Sequence, residues 1–533
     1  MRSFELPGRS TVMAEKGAVA TSHPLATSAA LQVLAEGGNA VDAAVTACLV
    51  QCVVEPQSVG LGGDMFALYA EGGKMPVYGL NGSGRAPAAA TLEQVSAAFP
   101  GASKVDRQHP HAVTVPGAVD GLITLHERFG SWDLARVIEP ARVYAEVGFP
   151  VHARVRSDWG LERDLLANDP DAAALLLPGG ALPSVGQRMV FPALARTLGE
   201  IAAKGRAGFY DGWVMDDMLA KLRAGGGLHS AEDFAGTRST WVDPISTTYR
   251  GHRLWEIPPN GQGLVALEML QILDRLGTPG SVDGLDRYHQ QIEAAHLAYA
   301  DREAFFADLP SMPCSVEDVL SPARMDRQAA RIRDDRSLSP VPTPDYPASG
   351  DTVYLTVVDG DRNAVSLIAS VFDSFGSGLV APGSGIWFQN RARSFRIDDP
   401  GHPNAYGPGK RPMHTIIPAM LTKGDDVQMA FGVMGADYQP QGQVHVLTAM
   451  LDFGLDIQAA LDQPRFHASP KTGGVQAEAG LSPLLRQGLL DRGHRLEIPE
   501  KPIGGGQGIW LHQDSGFLSA GSDPRKDGQA AGL

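Results

Sequence analysis

Thr352 and Ser370 are spaced for shared chemistry. Segments 351–359 (DTVYLTVVD) and 364–372 (AVSLIASVF) are rich in β-branched residues and flank a polar turn, GDRN. That pattern predicts a β-hairpin. A hairpin symmetric about Asp361 sets Thr352 opposite Ser370, nine residues away on either side. Directly opposed Cβ atoms lie about 4.5–5.5 Å apart, so two hydroxyls would stand together at a strand end. The same pairing is also an ordinary cross-strand contact. A second feature is GVMGAD (432–437), which places Gly435 and Ala436 at an expected strand-to-helix turn. Outward N–H groups there can hold an anion or an oxyanion, and a plain glycine turn is the alternative. Arg391, Arg393 and Arg411 flank expected strand ends in the same half. They offer cations to an acidic ligand or form a solvated face.

The elements that must position these groups fall into two parts. Pro24 opens a helix that runs to Gly37-Gly38, and AVDAAVTACLVQCVV (40–54) follows as a second. EPQSVGLGGD (55–64) breaks the helix, and MFALYA (65–70) reads as a strand. Residues 111–160, 190–223 and 284–308 read as mainly helical. Residues 1–18 read as a loose arm, and the Pro- and Ser-rich stretch 335–350 as an exposed linker. Beyond it, 386–391, 414–421 and 426–434 read as strands and 442–454 as a helix. Long βα alternation is missing, which predicts an α+β layered sandwich rather than a doubly wound parallel sheet.

Forty-five basic against sixty acidic residues give a net charge of −15, a poor footprint for a nucleic-acid or anionic-membrane binder. The Met1–Gly17 stretch lacks the apolar core of a secretory signal, so the expected location is the cytoplasm. Cys48, Cys52 and Cys314 make no disulfide or zinc pattern and read as small buried hydrophobes. GPGKRP (407–412) is no phosphate-binding loop, and His109-Pro110-His111 reads as a surface loop with no third ligand beside it. Nothing in the sequence supports a metal or an organic cofactor.

Residues 352–378, TVYLTVVD-x3-NAVS-x3-S-x4-FGSG, resemble the nucleophile region of the γ-glutamyltransferases, which are N-terminal-nucleophile hydrolases. The likeness continues in order through EGGNAVDAAV (36–45), GLGGD (60–64), VPGAVDG (115–121), PARVYAEVGFPV (140–151), YADREAFFAD (299–308), GPGKRP (407–412), DQPRFH (462–467) and GSDPRKDG (521–528). PPNGQG (258–263) and GVMGADYQPQG (432–442) look most like the branch of oxamate amidohydrolases and glutathione-hydrolase-like proteins. The resemblance implies a four-layer αββα sandwich built from one precursor. It implies cleavage between Asp351 and Thr352 into a large subunit, 1–351, and a small subunit, 352–533, that stay associated. An oligomer of such heterodimers is left open. Thr352 would then be nucleophile and, through its freed amine, base. Ser370 would orient it, and Gly435 and Ala436 would donate to the oxyanion.

The family's substrate anchors are replaced. The Arg that clamps a glutamyl carboxylate falls on Ser83, the Asp that holds the α-ammonium falls on Ser394, and an Asn of the hairpin falls on Phe372. Paired serines after K-R-P fall on His414 and Thr415. A Ser hydroxyl does not replace a bidentate Arg. Arg391, where the family usually has Gln, is the expected reader of a substrate carboxylate, with Arg393 or His414 beside it. The reading is therefore an autoprocessed threonine amidohydrolase of a small amide-acid such as oxamate or a γ-glutamyl compound. A true γ-glutamyltransferase or glutathione hydrolase, and an uncleaved non-catalytic binding protein, are the alternatives.

Overall fold

The computed structural model describes residues 8–338 and 351–533. Two seven-stranded sheets form its centre. In one, the hairpin strands Asp351–Val358 and Ala364–Phe372 lie in the middle, flanked by Ala18–Thr21 and Asp64–Ala70. In the other, Asp426–Met434 runs between Ala419–Lys423 and Gly505–Leu511. Residues from both sides of Thr352 contribute to each sheet, so the two parts of the chain share one body.

Alternation along the hairpin makes the layers. Val353, Leu355 and Val357 point to one face and pack with Val41, Val45 and Cys48 of a helical layer. Tyr354 and Val358 point the other way, into a core with Met420, Ala430 and Ile509 of the second sheet. The two-residue period of a strand sends neighbours to opposite faces. On the far side of the second sheet, Leu421, Phe431 and Val433 pack with helices Gly263–Leu276, Leu285–Phe305 and Gln439–Phe453. The order is helix, sheet, sheet, helix, as expected.

Local signals set the helix ends. Pro24 occupies the first turn of Pro24–Ala35, and His23 Nδ1 accepts from the Leu25 amide. Asn39 and Asp42 form a reciprocal cap at the start of Ala40–Val54. Every residue of that second helix is buried, which suits its apolar, small-residue composition. Among the described residues no helix is long and apolar enough to cross a membrane.

Several expectations change. The stretch read as a loose arm contains the strand Val12–Ala14 and the start of Ala18–Thr21, both laid into sheets. Only Ile386–Trp387 of 386–391 is a strand, and only the end of 414–421 joins Ala419–Lys423. Cys314 is half-buried, unlike Cys48 and Cys52. His109-Pro110-His111 enters a short 3-10 turn with His111 buried. Of the predicted linker, residues 339–350 lie outside the described residues.

Buried histidines set an expected acid sensitivity. Burial lowers His229, His296 and His467 to about 4 and His414 to about 3, and it also holds His23 and His445 well below the usual imidazole range. These groups stay neutral in the fold while the unfolded chain protonates them below about pH 6.5. Burial acts oppositely on Glu256 and Glu268, whose raised values add protons to the folded state. The unfolded chain gains more protons from six histidines than the fold gains from two carboxyls. Stability is expected to fall from pH 6.5 towards pH 4.5, by about 1.4 kcal/mol per pH unit for each proton of difference. A thermal midpoint that rises on acidification through this window contradicts this.

Candidate active site

The predicted hairpin register holds from Val358↔Ala364 to Val353↔Ala369 and then slips, with Asp351 opposite Phe372. Thr352 occupies the slip. Phe372 opposite it has φ of 79°. A bulge of this kind re-aims side chains at a sheet end. The Thr352 hydroxyl donates to Ser370 Oγ at 3.4 Å, and Ser370 Oγ accepts from the Phe372 amide at 2.8 Å. Gln439 Nε2 approaches Thr352 Oγ1 at 3.5 Å, while Gln439 Oε1 accepts from the Ile417 amide. Thr352 and Ser370 are both 1% exposed. Two hydroxyls and an amide thus converge at a buried strand end.

The turn after Asp426–Met434 lies beside them, since Gln439 opens the helix that follows it. Gly435 C=O accepts from the Tyr438 amide at 2.9 Å. A trans peptide points its N–H opposite to its C=O, so the Ala436 N–H is aimed away from the helix. Gln262 Nε2 donates to Ala436 C=O at 2.9 Å and to Thr415 C=O at 2.7 Å. Gln262 Oε1 in turn accepts from Arg302 Nη1 at 2.7 Å, and Arg302 pairs with Asp437 at 2.6 Å. The Tyr299 hydroxyl donates to Asp437 C=O. Residues 262, 299 and 302 therefore brace the turn. A Cβ on Gly435 would meet Gly504 Cα at 2.9 Å, so the backbones need glycine to approach.

Gly435 has φ of 124° and Ala436 φ of 49°. The left-handed region costs an L-residue roughly 1–2 kcal/mol. Ala436→Gly removes that strain but adds freedom to the unfolded chain, worth about 0.4–1 kcal/mol. The variant is expected to be more stable by up to about 1 kcal/mol. Chemical denaturation measures this, and a clear loss of stability argues against strain at Ala436.

Each candidate anchor is hydrogen-bonded within the protein. Arg393 Nη1 pairs with buried Asp373 at 2.8 Å and its Nε donates to Val105 C=O. His414 Nε2–H donates to Asp64 at 3.1 Å and Nδ1 accepts from the Ile416 amide. Burial, and then the neighbouring Arg391 cation, hold His414 neutral with a pKa of about 3. The Ser394 hydroxyl is directed to the carbonyls of Met413 and Arg391. Ser83 Oγ donates to Asn81. These contacts tie Arg393, His414, Ser394 and Ser83 to neighbouring groups of the protein. Arg391 Nη1 donates to Thr415 Oγ1 at 2.9 Å, and its guanidinium lies 4.1 Å from the Phe372 ring centre. It is buried beside the hairpin end.

A gamma-glutamyltranspeptidase family model matches residues 26–533. The chain belongs to this family. It is 35% identical to the glutathione hydrolase-like YwrD proenzyme of Bacillus subtilis, over 98% of this chain and 99% of that one. It is 34% identical to the oxamate amidohydrolase proenzyme of Klebsiella pneumoniae, over 97% and 98%. A cephalosporin acylase structure from Bacillus halodurans superposes with a TM-score of 0.93 at 41% identity, covering 100% of this chain and 99% of that one. The sandwich is that of the N-terminal-nucleophile hydrolases, and the protein is an amide-bond hydrolase of that type.

Within this gamma-glutamyltranspeptidase frame, reading single residues overlooked Asp64, Gln262 and Gln439. Asp64 faces Ser370 across the sheet and accepts from the Gly84 and Gly117 amides, Gln389 and His414. The available signal was membership of GLGGD, PPNGQG and YQPQG, segments with more Gly and Gln than a plain turn needs.

Proposed function

We propose that the protein is made as a precursor that cuts itself between Asp351 and Thr352 and then hydrolyses the amide of a small acid. In the first step Thr352 Oγ attacks the Asp351 carbonyl carbon, the C–N bond breaks, and water hydrolyses the ester. Asp351 gains a carboxylate and Thr352 a free amine. That amine, with a reference pKa near 7.7–8.0, takes the hydroxyl proton in each later turnover. Oγ attacks the substrate amide carbon, and the Gly435 and Ala436 N–H groups receive the oxyanion. The leaving amine takes the proton held by the Thr352 amine. Water then attacks the acyl ester and restores the hydroxyl. Ser370 and Gln439 hold Oγ in place.

The observation that carries this reading is the approach of Ser370 and Gln439 to Thr352 Oγ1, with the Gly435–Ala436 turn directly before Gln439 in the chain. Arg391 is the group proposed to read the substrate carboxylate. The ties of Ser83 and Ser394 to the protein weigh against standard glutamyl recognition. Oxamate and a cephalosporin, which the names of the relatives carry, are the first substrates to try. Intact-mass measurement of freshly made protein tests the reading: pieces 1–351 and 352–533 are expected, and an active chain that never acquires a threonine terminus refutes it.

A further inference from the structure

His289 and Glu293 stand one turn apart on the Leu285–Phe305 helix, and i, i+4 spacing puts both on one face. His494 reaches the same point from the turn that follows the Pro483–Asp491 helix. All three are buried, with exposures of 0%, 0% and 4%. One nitrogen or oxygen from each lies within 4.8 Å of those from the other two. His289 Nε2–H donates to Arg333 C=O at 2.7 Å, which leaves the Nδ1 lone pair facing His494 Nε2 at 2.7 Å. Glu293 Oε2 accepts from the Leu338 amide at 2.6 Å. Glu293 Oε1 is 3.7 Å from His494 Nδ1, too far for a hydrogen bond, and this buried oxygen has no partner among the described residues. A buried carboxyl oxygen that faces imidazoles without a donor is costly, and a cation removes that cost.

We infer that His289, Glu293 and His494 form a binding site for a divalent transition metal, with Zn2+ the best match. Two imidazoles and one carboxylate are a donor set zinc takes, with water in the fourth position. The bond from His289 to the Arg333 carbonyl is the kind that orients a metal-bound imidazole. Nitrogens bound at about 2.0–2.1 Å to a tetrahedral ion lie about 3.3 Å apart, so the two rings need to part by roughly half an ångström. The donors come from both sides of Thr352, and Arg333 and Leu338 belong to the stretch leading towards it. The ion therefore ties residues before the proposed cut to residues after it. The site stands without that cut, whereas its role as a clip between subunits rests on the proposed processing.

The test uses the full chain stripped with a chelator, then titrated with Zn2+ against a chromophoric competitor and with Co2+ by visible absorption. One equivalent per chain is expected, with a dissociation constant below about 1 µM, well inside the range of zinc sites. Glu293→Gln is expected to weaken binding at least about tenfold, and His494→Ala to abolish the stoichiometric site. The wild-type titration decides the matter if either variant folds poorly. Folded wild-type protein that takes up less than about a tenth of an equivalent at 100 µM Zn2+ overturns the site. So do variants that keep wild-type stoichiometry and affinity. Repeating the titration on uncut Thr352→Ala protein separates the two proposals, because equal binding there supports the metal site whatever becomes of processing. Chelation should lower the thermal midpoint of cut protein more than that of uncut protein, and equal shifts overturn the clip.

Discussion

Thr352→Ala is expected to remain a single 533-residue chain and to lose amide hydrolysis by about 10⁴-fold or more. In the proposed scheme the substitution removes the hydroxyl that attacks the Asp351 carbonyl, so no free α-amine would form. Nucleophile and base are lost together, and losses within one catalytic unit do not add. Thr352→Ser keeps both functions and is expected to cut and to retain measurable turnover. The missing methyl leaves a small space in a site that is 1% exposed, so the serine rotates more freely and turnover falls. A denaturing gel and a progress curve on the same preparations read both outcomes. Wild-type activity in Thr352→Ala, or a cut chain in that variant, would place the chemistry elsewhere.

Arg391→Ala carries the second large effect. If Arg391 reads the substrate carboxylate, kcat/KM for an acidic amide such as oxamate is expected to fall about 100- to 1000-fold. That corresponds to about 3–4 kcal/mol, in the range for deleting one side of a buried charge pair. A neutral amide of similar size should lose no more than about twofold, because its turnover never used the cation. The comparison of the two substrates separates recognition from damage to the hairpin end, where the Arg391 guanidinium lies against Phe372. Equal losses on both substrates make Arg391 a structural group, and no loss on either removes it from the site. Arg391→Lys keeps the charge but not the planar fork, and an intermediate loss is expected.

Much of this site is local, and so was readable in advance. Alternating β-branched residues around GDRN specify a hairpin because the strand period acts over a few neighbours. The caps at His23 and Asn39 are likewise local, since each side chain accepts from amides within one turn. Family segments marked the turn at Gly435 and Ala436 before any geometry was known. The helix-rich and strand-rich stretches and the nearness of the Thr352 and Ser370 hydroxyls came from such short-range patterns, and the four layers from the family resemblance.

Other features depended on the sheets closing over one another. The bulge at Thr352 and the positive φ at Ala436 are backbone choices made where strands end against packed neighbours. The brace from Arg302 through Gln262 to Ala436 joins residues 40 and 174 positions apart, which no local spacing encodes. Arg391 and Arg393 look alike in the sequence, two residues apart. The short 3-10 turn that carries them sends one to Asp373 and the other to Thr415. Residue type and neighbours alone determined which groups were available for chemistry. Which partner each of them takes was decided by long-range pairing, because a buried charge takes whatever partner the closed fold brings within reach.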